Sequence, residues 1–583
     1  MKELITANLD IWSAAVTAKT NGAGRSSGNN KGAYGINRLR ELILELAVRG
    51  KLVPQDPSDE PASELLKKIR KEKDMLIAEG KIKKVKPLPP ITEEEKPFDL
   101  PVRWEWVKLG DVLLKLTDGT HHSPTNVDNG EFKYISAKNI KPWGIDLSEI
   151  TYVTRDVHQE IYGRCDPAFG DLLYIKDGAT TGVATINTLE EQFSMLSSVA
   201  LLKPSTGTYN QFLLKAITSP LFYSEMRSEM TGVAITRVTL AKLNNAIVPL
   251  PPKNEQHRIV AKVDELMALC DQLEAEQADS AHAHEKLVSV LLDALTQGDD
   301  ISESWVRIQK HFDALFTTPT SVDKLKQTLL QLAVMGKLVP QDPNDEPASE
   351  LLKKIRKEKD QLIAEGKIKK DRPLPPIADE DKPFVLPDGW EWVSIDWLSE
   401  LITSGSRDWA KYLAEHGAKF ITMGNLSKGS YELRLDKMRY VTPPSNGEGS
   451  RTKLEENDVV ISITGDVGNL GRIPTGFGEA YINQHACLLR FLPSCRGRYF
   501  PELLRSPLAV AQFNAPQRGI KNSFRLSDVY ELIVPLPPYS EQQRIVDKVD
   551  ELMALCDQLK AHLVEAGEQQ RKVADVMVER AVC

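Results

Sequence analysis

Apolar positions recur along this chain at two periods, and the whole pattern is played twice. Over residues 36–48, Leu39, Leu42, Ile43, Leu46 and Ala47 fall three and four apart, which predicts an amphipathic helix ended by Gly50. PQDPSDEP (54–61) then breaks the periodicity with turn residues. A second helix follows, with Asp59 as its expected N-cap and Pro61 in its first turn. Its apolar face is Leu65, Leu66, Ile69, Leu76 and Ile77, and it stops near Gly80. The proline-punctuated run 86–101 predicts an extended surface segment. At Trp104-Glu105-Trp106-Val107 the period drops to two, the signature of a strand. Further strands are expected over 132–136, 171–175 and 199–202, with a helical stretch over 210–226. Ahead of all this, residues 1–15 read as a short helix and the Gly-, Ser- and Asn-rich 16–35 as a flexible linker.

From residue 255 a helical period returns and is sustained. Ile259, Val263, Leu266, Cys270 and Leu273 alternate four and three apart, cross a polar gap at Gln277, Ser280 and His284, and resume at Leu287, Leu291 and Ala294. That spacing is a coiled-coil seam, and a continuous helix over 255–297 would be roughly 60 Å long. Residues 298–320 are expected to link back to a second round. There, residues 336–370 repeat 50–84 with 33 identities in 35 positions, at an offset of 286. Residues 533–559 repeat 247–273 at the same offset, and Ile545, Val549, Leu552, Cys556, Leu559 and Leu563 renew the seam. Between these frames lie inserts of matched length and dissimilar sequence. Faint echoes align them: YISAKNI (134–140) with FITMGNL (420–426), and GDLLYI (170–175) with NDVVIS (457–462). Each of the latter pair runs into a Gly-rich turn, 177–182 or 464–471.

The expected fold class is therefore α+β: two α/β inserts separated by a long antiparallel two-helix coiled coil, with a pseudo-twofold internal duplication. The expected segments are 1–35, a leading segment and linker; 36–101, the first helical repeat; 102–246, the first insert; 247–387, the central long helix, linker and second repeat; 388–532, the second insert; and 533–583, the final helix. Constant frames holding unlike inserts suit a ligand with two parts a fixed distance apart, and duplex DNA is such a ligand. Duplication that merely built a larger scaffold for protein binding is the competing reading.

Composition narrows this. The chain has 583 residues, 41% hydrophobic and 27% charged, as expected of several soluble domains. No apolar run is long enough to span a membrane. The start, MKELITANLDIWSAA, has acidic residues inside it and does not resemble a signal peptide. Six cysteines form no CxxC pair and are expected to be reduced thiols in the cytoplasm. The net charge of −8 argues against unspecific coating of nucleic acid and implies that a strong grip on DNA needs another chain.

No phosphate-binding loop, HExxH helix or GxSxG elbow occurs, so no catalytic residue is expected and the chain is read as not itself an enzyme. His121-His122 has no neighbouring Cys and is read as a loop contact, not a metal site. Asn, Arg and Lys can read base edges, while Ser and Thr hold phosphates. In the first insert the DNA-contact candidates are Thr120, His121, His122, Lys138, Asn139, Lys141, Thr180 and Arg237. In the second they are Arg407, Trp409, Lys411, Tyr412, Asn425, Lys428, Arg518, Lys521 and Arg525, the last three within a basic stretch that includes Arg490, Arg496, Arg498 and Arg505. Candidates for coiled-coil or subunit contact are Ile259, Val263, Leu266, Leu273, Ile545, Val549, Leu552 and Leu559.

Inserts opening with WxWV, closing with PLPPxxEQxRIV and followed by KVDELMALCDQL resemble the specificity subunit of type I restriction-modification systems. DGTHHSP (118–124), LPDGWEWV (386–393) and INQHACLLR (482–490) resemble that family's target-recognition domains, and the long repeats resemble its subgroup with extended conserved regions. The first insert departs slightly, with Val102-Arg103 where Asp388-Gly389 stands. The resemblance implies that each insert is a target-recognition domain reading one half of an asymmetric, bipartite site in double-stranded DNA. The helices would set the unread gap. The frame would dock two methyltransferase (M) subunits that use S-adenosylmethionine, with motor-nuclease (R) subunits using ATP and Mg2+ joining in the full complex. The chain itself would bind no cofactor.

Overall fold

The computed structural model describes residues 8–15, 33–84, 86–228, 237–298, 301–369, 375–443, 449–515 and 524–582. It divides into two compact units, one made of Met1–Ser280 with Ala566–Cys583, the other of Ala281–Glu565. Each unit holds one copy of the frame and one insert. Two long helices, Lys253–Gln297 and Tyr539–Val582, each start in one unit and finish in the other. They change unit at the polar gap of the seam, where no apolar residue ties them to either core.

In the first unit the helix Tyr34–Val48 buries Ile36, Leu39, Leu42, Ile43 and Leu46. They pack in one cluster with Ile259, Val263, Leu266 and Cys270 of the first long helix and Ala574 and Val578 of the second. Polar ties fix the directions. Arg40 pairs with Asp271 and Glu274, while Gln55, just past the helix, bonds Glu255, so this helix runs against the first long helix. Tyr34 bonds Asp575 and Lys51 bonds the Val582 carbonyl, so it runs with the second. The two long helices are therefore antiparallel here. The seam residues face inward: Ile259, Val263 and Leu266 are buried, and Leu273 is partly covered by the same cluster. In the second unit Ile545 and Val549 are buried and Leu552 and Leu559 partly so, against Leu325, Leu329 and Leu332 of Pro319–Val334. These eight residues hold the chain to itself.

The repeated frame reproduces its hydrogen bonds position by position. The Trp104 indole N–H donates to Glu255 at 3.0 Å and Gln55 donates to its other oxygen at 2.6 Å; Trp390, Gln341 and Glu541 do the same at 2.9 and 2.7 Å. Arg258 pairs with Asp59 and Arg544 with Asp345, each at 2.7 or 2.6 Å. Asp59 is thus not a helix cap. The helix Ala62–Ala78 is capped at Pro61 without a side-chain bond, and Asp59 instead reaches the long helix as a buried carboxylate. Gly50 ends the preceding helix at φ 68°, with Lys51 N–H donating to the Leu46 carbonyl at 2.9 Å. A Cβ there would sit 2.5 Å from the Pro101 ring, and Gly336 meets Pro387 identically. Gly336→Ala is expected to destabilise the second unit by about 1–2 kcal/mol from backbone strain alone, read as a lower urea midpoint.

Each insert is closed by its first and last strands, Glu105–Lys108 against Ile247–Leu250 and Glu391–Ser394 against Ile533–Leu536, both antiparallel. Inside the first lies a four-stranded antiparallel sheet ordered Leu113–Asp118, Val199–Pro204, Leu172–Ile175, Ala184–Ile186. A smaller sheet pairs Phe132–Ile135 in parallel with Phe193–Met195. The second insert repeats both sheets, with Ala418–Ile421 parallel to Ala480–Ile482. The expected helix over 210–226 is two helices, Asn210–Ile217 and Pro220–Ser228, because Pro220 cannot continue the first. The expected linker 298–320 is partly helical, at Ile301–Lys310 and Phe312–Leu315, since Ile308, Leu315 and Phe316 have a core to enter. Among the described residues no helix is long and apolar enough to cross a membrane.

Candidate nucleic-acid interface

Five loops of the first insert converge at one edge of its two sheets. Thr120 follows the strand Leu113–Asp118, donates its N–H to Met195 at 2.9 Å and accepts from Ser197 at 2.9 Å. Lys176, just past Leu172–Ile175, donates its N–H to Ser198 and accepts from Val238, at 3.0 and 2.8 Å. Ala137 N–H donates to the Ser198 hydroxyl at 3.2 Å. The loops near 120, 137, 177, 197 and 237 are thereby knitted into one surface. Thr120, His121, His122, Lys138, Thr180 and Arg237 all belong to it, and all but Thr120 have exposed side chains. Lys141 stands next door, on the strand Ile140–Lys141. The surface is underlain by a polar cluster: Asp118, only 2% exposed, meets Arg164, Lys176 and His121, and Asp177 meets Lys176 and Arg237.

The second insert builds the same edge from other side chains. Ser406 bridges Asn483 in parallel as Thr120 bridges Leu196. Ile463 N–H donates to His485 at 2.9 Å, and Phe524 N–H to Ile463 at 2.8 Å. Thr464 and Gln484 lie 2.8 and 3.0 Å from the two His485 ring nitrogens. Lys428 pairs with Asp466 at 2.5 Å, and this hydrogen bond holds the Asp466 carboxyl below its usual range. Both inserts need glycine at the crossing: a Cβ on Gly119 would lie 1.9 Å from the Met195 carbonyl, and one on Gly405 2.2 Å from that of Ile482. No group of three His, Cys, Asp or Glu side chains among the described residues is placed to hold a metal ion. The five described cysteines are all buried, which pushes the Cys165, Cys487 and Cys495 thiols up to about 12. The edge offers hydrogen-bond donors and acceptors of varied shape on a fixed base, which suits recognition.

The family described as "Type I restriction modification DNA specificity domain" matches twice, over residues 101–281 and 387–566. The chain belongs to this family. It is 39% identical to the type I restriction enzyme EcoAI specificity subunit of Escherichia coli and 37% identical to the EcoEI specificity subunit, each over 100% of both chains. The solved HsdS subunit from Thermoanaerobacter tengcongensis aligns at 18% identity over 84% of this chain and 98% of its own, with a TM-score of 0.34. As a DNA specificity subunit, the chain is the non-catalytic component of its enzyme.

Not every candidate of this specificity subunit reaches the edge with a usable side chain. Asn139 and Asn425 are 2% and 1% exposed. Each accepts from the backbone and hydroxyl three residues earlier and donates to a carbonyl further on, so both amides are spent holding their loops. Trp409, 2% exposed, packs among Phe420, Tyr481 and Tyr412, and presents no face to a base. Arg407, Lys411 and Arg525 are exposed and Tyr412 is partly so. Arg518 and Lys521 lie outside the described residues. The rest of the basic stretch is committed to carboxylates: Arg490 forks onto buried Asp458, Arg496 pairs with Glu400, Arg498 with Asp550 at the surface and Arg505 with Glu502. Arg164, Lys176, Asn483, Gln484 and His485 belong to the edges although the periodicity gave them no prominence. For the last three the signal was the INQHACLLR motif itself.

Proposed function

We propose that each insert reads one half of an asymmetric, bipartite site in double-stranded DNA through its five-loop edge. One observation carries this: the frame repeats its hydrogen bonds residue for residue, while the loops knitted at equivalent places differ in charge and shape. A protein-binding scaffold gives no reason for a conserved spacing between two unlike surfaces. The constant frame docks two methyltransferase subunits, which bind S-adenosylmethionine and methylate adenine. Motor-nuclease subunits using ATP and Mg2+ join them in the full complex, in the cytoplasm. The net charge of −8 supports a division of labour in which partners supply much of the phosphate grip.

The test is selection of bound duplexes from a random library by the chain with its methyltransferase partner, followed by sequencing. A split motif is expected. Exchange of residues 102–246 for the insert of another family member should then change one half of that motif and leave the other half and the gap as they were. If no split motif emerges, or if both halves change together, this reading is wrong.

A further inference from the structure

The polar cluster of the first insert joins buried carboxylates to guanidiniums that stay open to solvent. Two carboxylates lie in its interior, with Asp118 and Asp177 side chains 3% and 10% exposed. The Lys176 ammonium, itself 5% exposed, sits between them, 3.4 Å from Asp118 Oδ2 and 3.1 Å from Asp177 Oδ2. One ammonium between two carboxylates leaves the interior one charge short of neutral. Two guanidiniums are then added from above. Arg164 donates from Nη2 to Asp118 and to the Gly119 carbonyl, and Arg237 donates from Nε to Asp177 Oδ1 at 3.0 Å. Their side chains remain 51% and 58% exposed, so both heads look outward from the edge.

The way Arg237 is tied matters. With Nε committed to Asp177, its two terminal amino groups remain as a planar fork on an exposed head, and among the described residues neither meets an acceptor. Guanine presents two acceptors, O6 and N7, side by side in the major groove, and no other base does. A fork held by a buried anchor loses little rotamer freedom on binding, which is what makes a bidentate contact discriminating. The network is also private to this insert. Positions matching Asp118, Lys176 and Asp177 in the second insert hold Ser404, Ile463 and Thr464. It therefore belongs to what differs between the two edges, as a specificity device should.

We infer that Arg237, anchored by Asp177 on this carboxylate network, reads guanine in the half-site addressed by residues 102–246. The inference rests on the bipartite reading above and names a base for one half of it. Asp118, Lys176 and Asp177 are positioning residues in this scheme.

The experiment uses the assembled complex with its methyltransferase partner and the duplex recovered from the random library. Guanines in the first half-site are replaced one at a time by 7-deazaguanine, which pairs normally but lacks the N7 acceptor. A loss of roughly two- to twelve-fold in affinity at one or two of them is expected, the share of one bond in a bidentate contact. In parallel, Arg237→Ala should relax base preference at one position and leave the slope of log affinity against log salt unchanged. A slope smaller by about one with the motif intact would mean a phosphate contact and overturn the inference. So would a first half-site that lacks guanine or tolerates 7-deazaguanine throughout. The substituted duplexes are tested on the unaltered chain, so the outcome does not depend on the variant folding. Absence of any split motif would instead sink the bipartite reading itself.

Discussion

Replacing Trp104 by Ala is expected to cost the first unit about 3–5 kcal/mol, and more at pH 8 than at pH 5. The first part is packing. Trp104 is 4% exposed, meets Phe212 edge-on at 6.5 Å between ring centroids, and belongs to the cluster that binds Tyr34–Val48 to both long helices. Truncating a buried indole leaves a cavity of the costliest class. The second part is electrostatic. Burial already raises the Glu255 carboxyl above its ordinary value, while its bonds from Trp104 and Gln55 oppose that shift. Removing the Trp104 donor leaves burial less opposed and moves the folded-state value higher still. A carboxyl whose folded value is raised binds more protons folded than unfolded, so its contribution is intact below the ordinary carboxylate range and is lost as pH rises through the folded value. The penalty of Trp104→Ala therefore grows with pH. Urea titrations at the two pH values, followed by fluorescence, measure it. Trp390→Ala should act alike on the second unit through Glu541, whose carboxyl is raised for the same first cause, burial. A loss under about 1 kcal/mol with no pH dependence would mean that this contact is not what ties the insert to the long helix.

Where burial of an apolar stripe decides the outcome, the sequence is explicit. Leu39, Leu42, Ile43 and Leu46 sit where their spacing puts them, and the strand expected from Trp104 to Val107 forms one residue later, at Glu105–Lys108. Matched echoes such as YISAKNI and FITMGNL mark equivalent places in the two inserts, each beginning on a strand of a parallel pair. Polar side chains are harder to read, because the same residue type serves a surface and an interior network. Asp59 looks like a helix cap by position but finds Arg258, about 200 residues on, which no local pattern encodes. Asn139 and Asn425 did carry a warning: each stands three residues after Ser136 or Thr422, the spacing of a capping box, so their amides were committed locally. The basic stretch from Arg490 to Arg505 gave none. Its partners Asp458, Glu400 and Asp550 are scattered over 150 residues of sequence, and only the fold brings them together. The edge network is of that kind too: Arg237 stood among the candidates, but its link through Asp177 and Lys176 to Asp118 exists only in the fold.

Lengthening both long helices by seven residues, after Ser280 and after Glu565, is expected to widen the gap between the half-sites by one to three base pairs and change neither half. Seven residues are two turns, so the seam beyond the insertion keeps its face. They add about 10.5 Å of helix at 1.5 Å per residue, against 3.4 Å of rise per base pair, which sets the upper bound of three. The insertion points lie in the polar gap, where each helix passes from one unit to the other and neither core is cut. Both helices must grow together. In the first unit Asp575 is tied to Tyr34 and Arg38 and Ala574 is buried among the Tyr34–Val48 residues, while in the second Val288, Leu292 and Leu295 are equally committed. Lengthening one helix alone would set these two anchorages against each other and should abolish binding instead of shifting the gap. Sequencing of library duplexes retained by the complex distinguishes the outcomes. An unchanged gap in the doubly lengthened chain would show that something other than helix length sets the distance at which the two edges read DNA.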